Sequence, residues 1–108
     1  MTLTQDKKIT VIFRIEPGCL GPDGRSHVAA FCQLASNQLA ESAPEFMNWR
    51  IEPRLDKTLP ELAYALQSRP LSREHATRYF AYFGEQIDHF EVDLLNRLPD
   101  LIDQYFGR

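Results

Sequence analysis

The tetrapeptide Arg14-Ile15-Glu16-Pro17 occurs twice. It returns as Arg50-Ile51-Glu52-Pro53, with an aromatic residue, Phe13 or Trp49, ahead of each copy. Each copy closes a stretch that reads as a β-strand. Ile9 to Glu16 is β-branched and aromatic, and Phe46 to Leu55 alternates Met47, Trp49 and Ile51 with Asn48, Arg50 and Glu52. Proline has no backbone N–H to donate to a ladder, so it ends both strands. The period of two puts Phe13, Ile15, Trp49 and Ile51 on a core face, and Arg14, Glu16, Arg50 and Glu52 together on the opposite face. No longer period accompanies the repeat, so the chain is not a solenoid.

Between the two strands lie a turn-rich loop, Pro17 to Gly24, and a helix. Asp23 or Ser26 is its N-cap, and the helix runs to about Ser42 with Val28, Phe31, Ala35 and Leu39 as its apolar stripe. Strands joined through a helix run parallel, with a right-handed crossover. After a turn at Asp56 to Pro60, Glu61 to Arg69 fits either a strand, through Leu62, Tyr64 and Leu66, or a short helix opened by Pro60. The hairpin-sized turn before it favours the strand. From a Ser72 cap onward, Ala76, Phe80, Phe83, Ile87, Phe90 and Leu94 recur at helical spacing, and Leu98, Leu101 and Tyr105 continue the stripe. Pro99 interrupts it and predicts a kink or break near Arg97, with a short terminal helix ending at Gly107. Gly84 reads as tolerated within the helix or as a point of close packing.

The expected fold is therefore α+β in the order β-α-β-β-α, a two-layer sandwich. A small three-stranded mixed sheet carries the helices on one face, and the long C-terminal helix is kinked or broken near Pro99. At 108 residues with 44% apolar content this is one domain over 9–108, preceded by a poorly ordered stretch at 1–8. The apolar runs are far short of the roughly 20 residues that span a bilayer, and no secretory signal opens the chain. A cytoplasmic location is expected, with Cys19 and Cys32 reduced. A net charge of −3 argues against duplex nucleic acid, which demands a dense basic footprint. Burial of Phe13 and Trp49 removes the stacking platform that single strands would require.

The doubled Arg-Glu face has three readings: exposed ion pairs, a binding or dimerising face built on arginine forks, or an acid–base pair formed by Glu16 and Glu52. The strand, glycine-rich loop and helix also lay out an anion site over residues 17–27. There Cys19, Asp23, Gly24, Arg25 and His27 line the loop, and Arg14, Glu16, Arg50 or Glu52 stand near it. Gly18, Gly21 and Gly24 match neither the Walker nor the dinucleotide pattern. Cys19 in that loop is a candidate nucleophile beside His27 and the helix start. His27, His75 and His89 lack metal-ligand spacing, since His75 and His89 stand about 20 Å apart on one helix. No metal or cofactor is expected.

Helix length adds a further point. A straight helix from Arg73 to Leu98 would run about 39 Å, against a diameter of about 34 Å for a globule of this size. Overhanging turns with Phe90, Leu94, Leu98 and Leu101 would want a second subunit or the chain's own first helix. Tyr79 and Tyr82 are the kind of aromatic enriched at interfaces. The function expected is a non-enzymatic binding or regulatory module, homodimeric through the last helix or the open sheet face. Another protein or a small anionic ligand is the further partner class, and a membrane is not. The rival is a small-molecule enzyme or anion-binding domain centred on the 17–27 loop.

Overall fold

The computed structural model describes Thr4 and residues 7–108, so the expectation for residues 1–8 falls mainly outside the described residues. β1 (Ile9–Ile15) is the central strand of an open four-stranded mixed sheet, in the order β2-β1-β3-β4. It is followed by a 3₁₀ turn at Pro17–Leu20 and by α1 (Gly24–Glu41), which returns the chain to β2 (Met47–Pro53). β2 lies parallel to β1 and directly beside it. β3 (Leu62–Leu66) then pairs antiparallel with the other side of β1. The segment before β3 is therefore a crossing over the end of β1, not a hairpin turn.

The expected three strands are four. β4 (Arg69–Leu71) pairs antiparallel with β3 through a two-residue turn, Gln67-Ser68, where Gln67 takes φ +57°. Positive φ at the first turn position suits the strand twist of tight hairpins. Pro70 hides the strand from sequence reasoning, because proline survives in a sheet only at an edge, and β4 is the edge.

One face of β1 supplies both halves of the core. Phe13 and Ile15 pack with Val28, Phe31, Ala35 and Leu39 of α1, and Ile9 and Val11 pack with Phe46, Tyr64, Ala76 and Phe80. Phe13, Phe31 and Phe80 are almost wholly excluded from solvent. Each such side chain contributes about 1.5–3 kcal/mol. All three helices thus lie on one side of the sheet, as the strand periodicity predicts.

The long last helix is broken, at a different place from the one expected. α2 (Arg73–Tyr82) stops at Phe83, and α3 (Ile87–Phe106) runs without interruption through Pro99. Gly84 adopts φ +79°, its N–H donates to Ala81 O (3.0 Å), and Glu85 N–H reaches back to Phe80 O (2.9 Å). These are the paired bonds of a Schellman helix stop. The same two bonds close α3 at Gly107, from Gly107 N to Gln104 O and from Arg108 N to Asp103 O. Gly84 is therefore a terminator, neither a tolerated interior residue nor a packing contact: no neighbour lies within 4 Å of the position a Cβ would take. Pro99 and Leu95 are both exposed, so the Leu95 carbonyl that proline leaves without a donor is open to water. With 20 residues α3 spans about 30 Å, within the 41 Å long axis of the molecule. The overhang argument falls with the break.

Glu91 of α3 locks the two helices to the sheet. It accepts from Tyr64 Oη (2.6 Å) and from Arg73 Nη1 (2.7 Å), while Arg73 Nη2 reaches Asp88 (2.6 Å). Burial, then the Glu91 carboxylate, push the Tyr64 phenol well above its ordinary range. Ser72 caps α2 by accepting from His75 N, as the sequence indicates.

Gly84→Ala forces an L-residue into the left-handed region at a cost of about 1–2 kcal/mol. Each 1 kcal/mol lowers Tm by about 4–8 °C in a chain of this size. Pro99→Ala restores a helical N–H and is expected to raise Tm. Thermal unfolding followed by circular dichroism separates the two, and the opposite pair of shifts would place the break at Pro99.

Candidate functional site

The two Arg-Ile-Glu-Pro segments do lie side by side, offset by two residues. Ile12 stands opposite Arg50 and Arg14 opposite Glu52. Pairing the copies in step would set Arg14 against Arg50, and like charges directly opposite are destabilising. The offset instead gives a cross-strand ion pair, Arg14 Nε to Glu52 Oε1 at 3.0 Å, with Arg50 Nε 3.5 Å from Glu52 Oε2. One step further, Arg54 N donates to Ile15 O (2.8 Å) and Arg54 Nη1 lies 3.2 Å from Glu16 Oε2. Lys57 takes the other Glu16 oxygen.

This face is only partly solvated. The Arg14 side chain is 9% exposed, and its Nη1 donates to Pro60 O at 2.9 Å. Arg54 likewise donates to Leu59 O (2.9 Å) and Lys57 O (3.1 Å). Two arginines thereby clamp the backbone of the crossing segment, residues 54–61. Asp56 turns that segment by accepting from Thr58 N and Oγ1, and these bonds hold its carboxyl below the usual aspartate value.

The 17–27 loop borders a cleft of about 220 Å3, lined by Glu16, Gly21, Gly24, Arg25, Arg54 and Lys57 among others. Its glycines have structural causes. Gly21 takes φ +94°, and a Cβ on Gly24 would meet the Pro17 carbonyl oxygen at 1.7 Å. Asp23 occupies the N-cap without a side-chain bond, and its backbone carbonyl accepts from Ser26. Glu16, Gly24, Arg25 and the clamped Arg54 and Lys57 line this cleft. Cys19 and His27 lie elsewhere. Cys19 is exposed on an open hollow beside Phe106 and Arg108. His27 Nδ1 lies 3.0 Å from Tyr105 Oη, with its ring edge-on to Tyr105 and Phe106. Of the anion-site residues, Glu16, Gly24 and Arg25 line the cleft, and Cys19 lines the hollow that adjoins it at Gly21.

The interface residues read from the last helix also divide. Leu94 and Leu101 belong to the core beneath α1, and Phe90 and Leu98 are partly buried against it, so the chain's own first helix covers them. Tyr79 is partly buried against the second cluster. Tyr82 is 83% exposed. Sequence reasoning missed the outer face of α3. Val92, Leu95, Pro99 and Ile102 follow a 3-4-3 spacing, and Val92 is 56% and Leu95 47% exposed. That spacing is legible in the sequence but masked by the stronger core stripe on the same helix. Also missed was a cleft where the end of α1, β2 and α3 meet, bordered by Trp49.

The chain matches no protein-family model, no curated protein and no solved structure. Among the described residues no group of three or more His, Cys, Asp or Glu side chains could hold a metal ion. No helix among them is long and apolar enough to cross a membrane.

Two outcomes follow from the site. Glu52→Gln leaves a buried arginine short of its countercharge. Because Glu52 is itself 36% exposed, the expected loss is about 1–3 kcal/mol, below the full value for a buried pair. The Arg14→Met/Glu52→Gln double variant loses less than the sum of the singles in urea unfolding; strict additivity would mean that the pair does not couple the strands. Burial pushes the Cys32 thiol up to about 11 from 9.0, with the Glu52 charge adding to it. The fold keeps this thiol protonated where the unfolded chain ionises, so its contribution to stability falls as pH rises from 9 towards 11. Native alkylation at neutral pH should modify Cys19 alone, and both thiols after denaturation. Native labelling of Cys32 at a similar rate would contradict its burial.

Proposed function

We propose that this chain is a small, cytoplasmic, non-enzymatic binding or regulatory module that self-associates through the outer face of α3. The observation that carries the reading is the second apolar stripe on α3, in which Val92, Leu95 and Pro99 are exposed and Ile102, at its end, is partly buried against the core. A 3-4-3 repeat is the spacing of a helix–helix seam. Two copies meeting across a two-fold axis would present the same stripe to each other. The disposition of the polar groups supports a non-enzymatic role. Glu16 and Glu52 are engaged by cations on both oxygens, and His27 Nδ1 lies 3.0 Å from Tyr105 Oη. Both cysteines are free thiols, which suits a reducing compartment.

The size of the face sets the strength. A helix of 20 residues is about 30 Å long and about 10 Å wide, so it offers about 300 Å2 per partner. Stable complexes bury about 800 Å2 per partner. The association is therefore weak, micromolar or weaker, and depends on concentration.

Sedimentation equilibrium across a micromolar to millimolar series is expected to show a mass rising from 12.5 kDa towards twice that value. Leu95→Glu, at an exposed position, should hold the mass at the monomer value without lowering Tm. A wild-type chain that stays monomeric at the top of the series sinks the proposal, as does a dimer indifferent to Leu95→Glu.

A further inference from the structure

The two edges of the sheet are unequal. β4 is three residues long and carries Pro70 at its centre, and both features blunt an edge against further pairing. β2, at the opposite edge, is seven residues long with no proline before Pro53. The ladder bonds fix which of its backbone groups are already used. Ile9 N donates to Phe46 O (2.9 Å) and Arg54 N to Ile15 O (2.8 Å), whereas Arg14 N donates to Glu61 O (2.8 Å) on the β3 side. Backbone N–H and C=O groups point to alternate sides along a strand. In this register Asn48, Arg50 and Glu52 therefore face β1, and Trp49 and Ile51 turn their N–H and C=O groups outward. Met47 N donates to Pro44 O (3.0 Å), and Pro53 offers only a carbonyl. Neither outward N–H has an acceptor in a turn, loop or cap among the described residues. The side chains alternate as well. Trp49 and Ile51 are partly buried on the core face. Arg50 stands on the open face, 57% exposed, and its contact with Glu52 is a long 3.5 Å, outside ordinary hydrogen-bond length.

We propose that the outer edge of β2 binds an extended peptide segment as an added strand, antiparallel to β2, with an acidic residue between two apolar ones. In strand addition the main-chain bonds give the affinity and alternate side chains give the specificity. Ile51 and Trp49 each exchange a pair of bonds with the residue opposite, and the Pro53 carbonyl adds an acceptor. The lack of an N–H at Pro53 ends the pairing there. The acidic residue falls opposite Arg50, where an opposite charge across the ladder is favourable. Its apolar neighbours fall opposite Trp49 and Ile51 and extend the core face. The edge lies apart from the outer stripe of α3 and does not rest on self-association.

The probe is the capped peptide acetyl-Thr-Val-Lys-Val-Glu-Val-Thr-amide, whose glutamate falls opposite Arg50. Binding is read by amide hydrogen exchange, residue by residue, in NMR. In the protein alone the Trp49 and Ile51 amides should exchange fast while Arg50 and Glu52 are protected. Saturating peptide should slow Trp49 and Ile51 by about tenfold or more and leave Arg50 and Glu52 as they were. Methylating the nitrogen of either valine beside the glutamate should abolish binding, because those amides face β2; methylating the glutamate nitrogen should not. Arg50→Gln should weaken the midpoint about two- to fivefold, since the ion pair is exposed. Leu95→Glu should leave it unchanged, so this test and the test of self-association fail separately. Protection of Trp49 and Ile51 in the protein alone overturns the proposal, because the chain itself or a second copy then covers the edge. Absence of saturable protection, equal tolerance of methylation at all three nitrogens, a midpoint unmoved by Arg50→Gln, or binding lost in Leu95→Glu would each overturn it too.

Discussion

Arg14 is a charged side chain in a place where charges are costly, on the central strand and almost closed to solvent. An arginine there requires a countercharge and further acceptors. Glu52 provides the first and the Pro60 carbonyl the second. The Glu52 contact fixes the parallel register of β2, since sliding the strand by two residues would put Arg50 where Glu52 stands. The Pro60 contact draws the crossing segment over the end of β1, which delivers β3 to the far side of the central strand. β4 and α2 then follow from where β3 lies. A surface ion pair could not carry this role, because an exposed pair is worth about 0–1 kcal/mol. Burial is what makes the interaction decisive.

The second constraint acts on the helices. A continuous helix from Arg73 to Phe106 would be about 50 Å long and could not keep Phe80 and Leu101 over one sheet of this width. The break at Gly84 solves this by letting α3 return along α1. Arg97 meets Ser42 at one end of α1, and Tyr105 meets His27 at the other. α3 is then apolar on two faces. The face toward α1 completes the core, and the outer face leaves Val92 and Leu95 exposed. The same geometry creates the Trp49 cleft, because α3 passes the end of α1 without closing over β2.

What the sequence made legible follows physical period and covalent geometry. Strands β1 and β2 and the single core face were readable from the alternation of Ile9, Val11, Phe13 and Ile15 and of Met47, Trp49 and Ile51, and their parallel pairing from the helix between them; β3 was favoured over a helix only by a hairpin-sized turn, where the chain in fact crosses over the end of β1. β4 was not, because three residues carry no period and Pro70 argues against a strand except at an edge. The helix break was misplaced because proline is the stronger local signal. Yet Tyr-Phe-Gly occurs twice, at Tyr82-Phe83-Gly84 and Tyr105-Phe106-Gly107, and only the second copy was read as an end. The first copy lies inside an unbroken apolar stripe, and a 3.6 period alone does not show a change of direction. The candidate site was legible as a face but not as a set of bonds. The two-residue offset between the repeat copies comes from strand pairing, which a single sequence does not display.

The fate of the charged groups also shows where a function can reside. The Arg-Glu repeat is the most conspicuous chemistry in the sequence, and the fold consumes it: Arg14, Glu16, Glu52 and Arg54 bind one another and the backbone carbonyls of the crossing segment. A group already holding its own chain has little capacity for a ligand, because each new contact must replace one of similar strength. The groups left with capacity are less conspicuous. They are the guanidinium of Arg97 and the outer apolar stripe of α3. Both lie on α3, the helix freed from α2 by Gly84. Recognition by side chains alone is therefore expected at the last helix, while the paired strand ends hold that helix and the sheet in register.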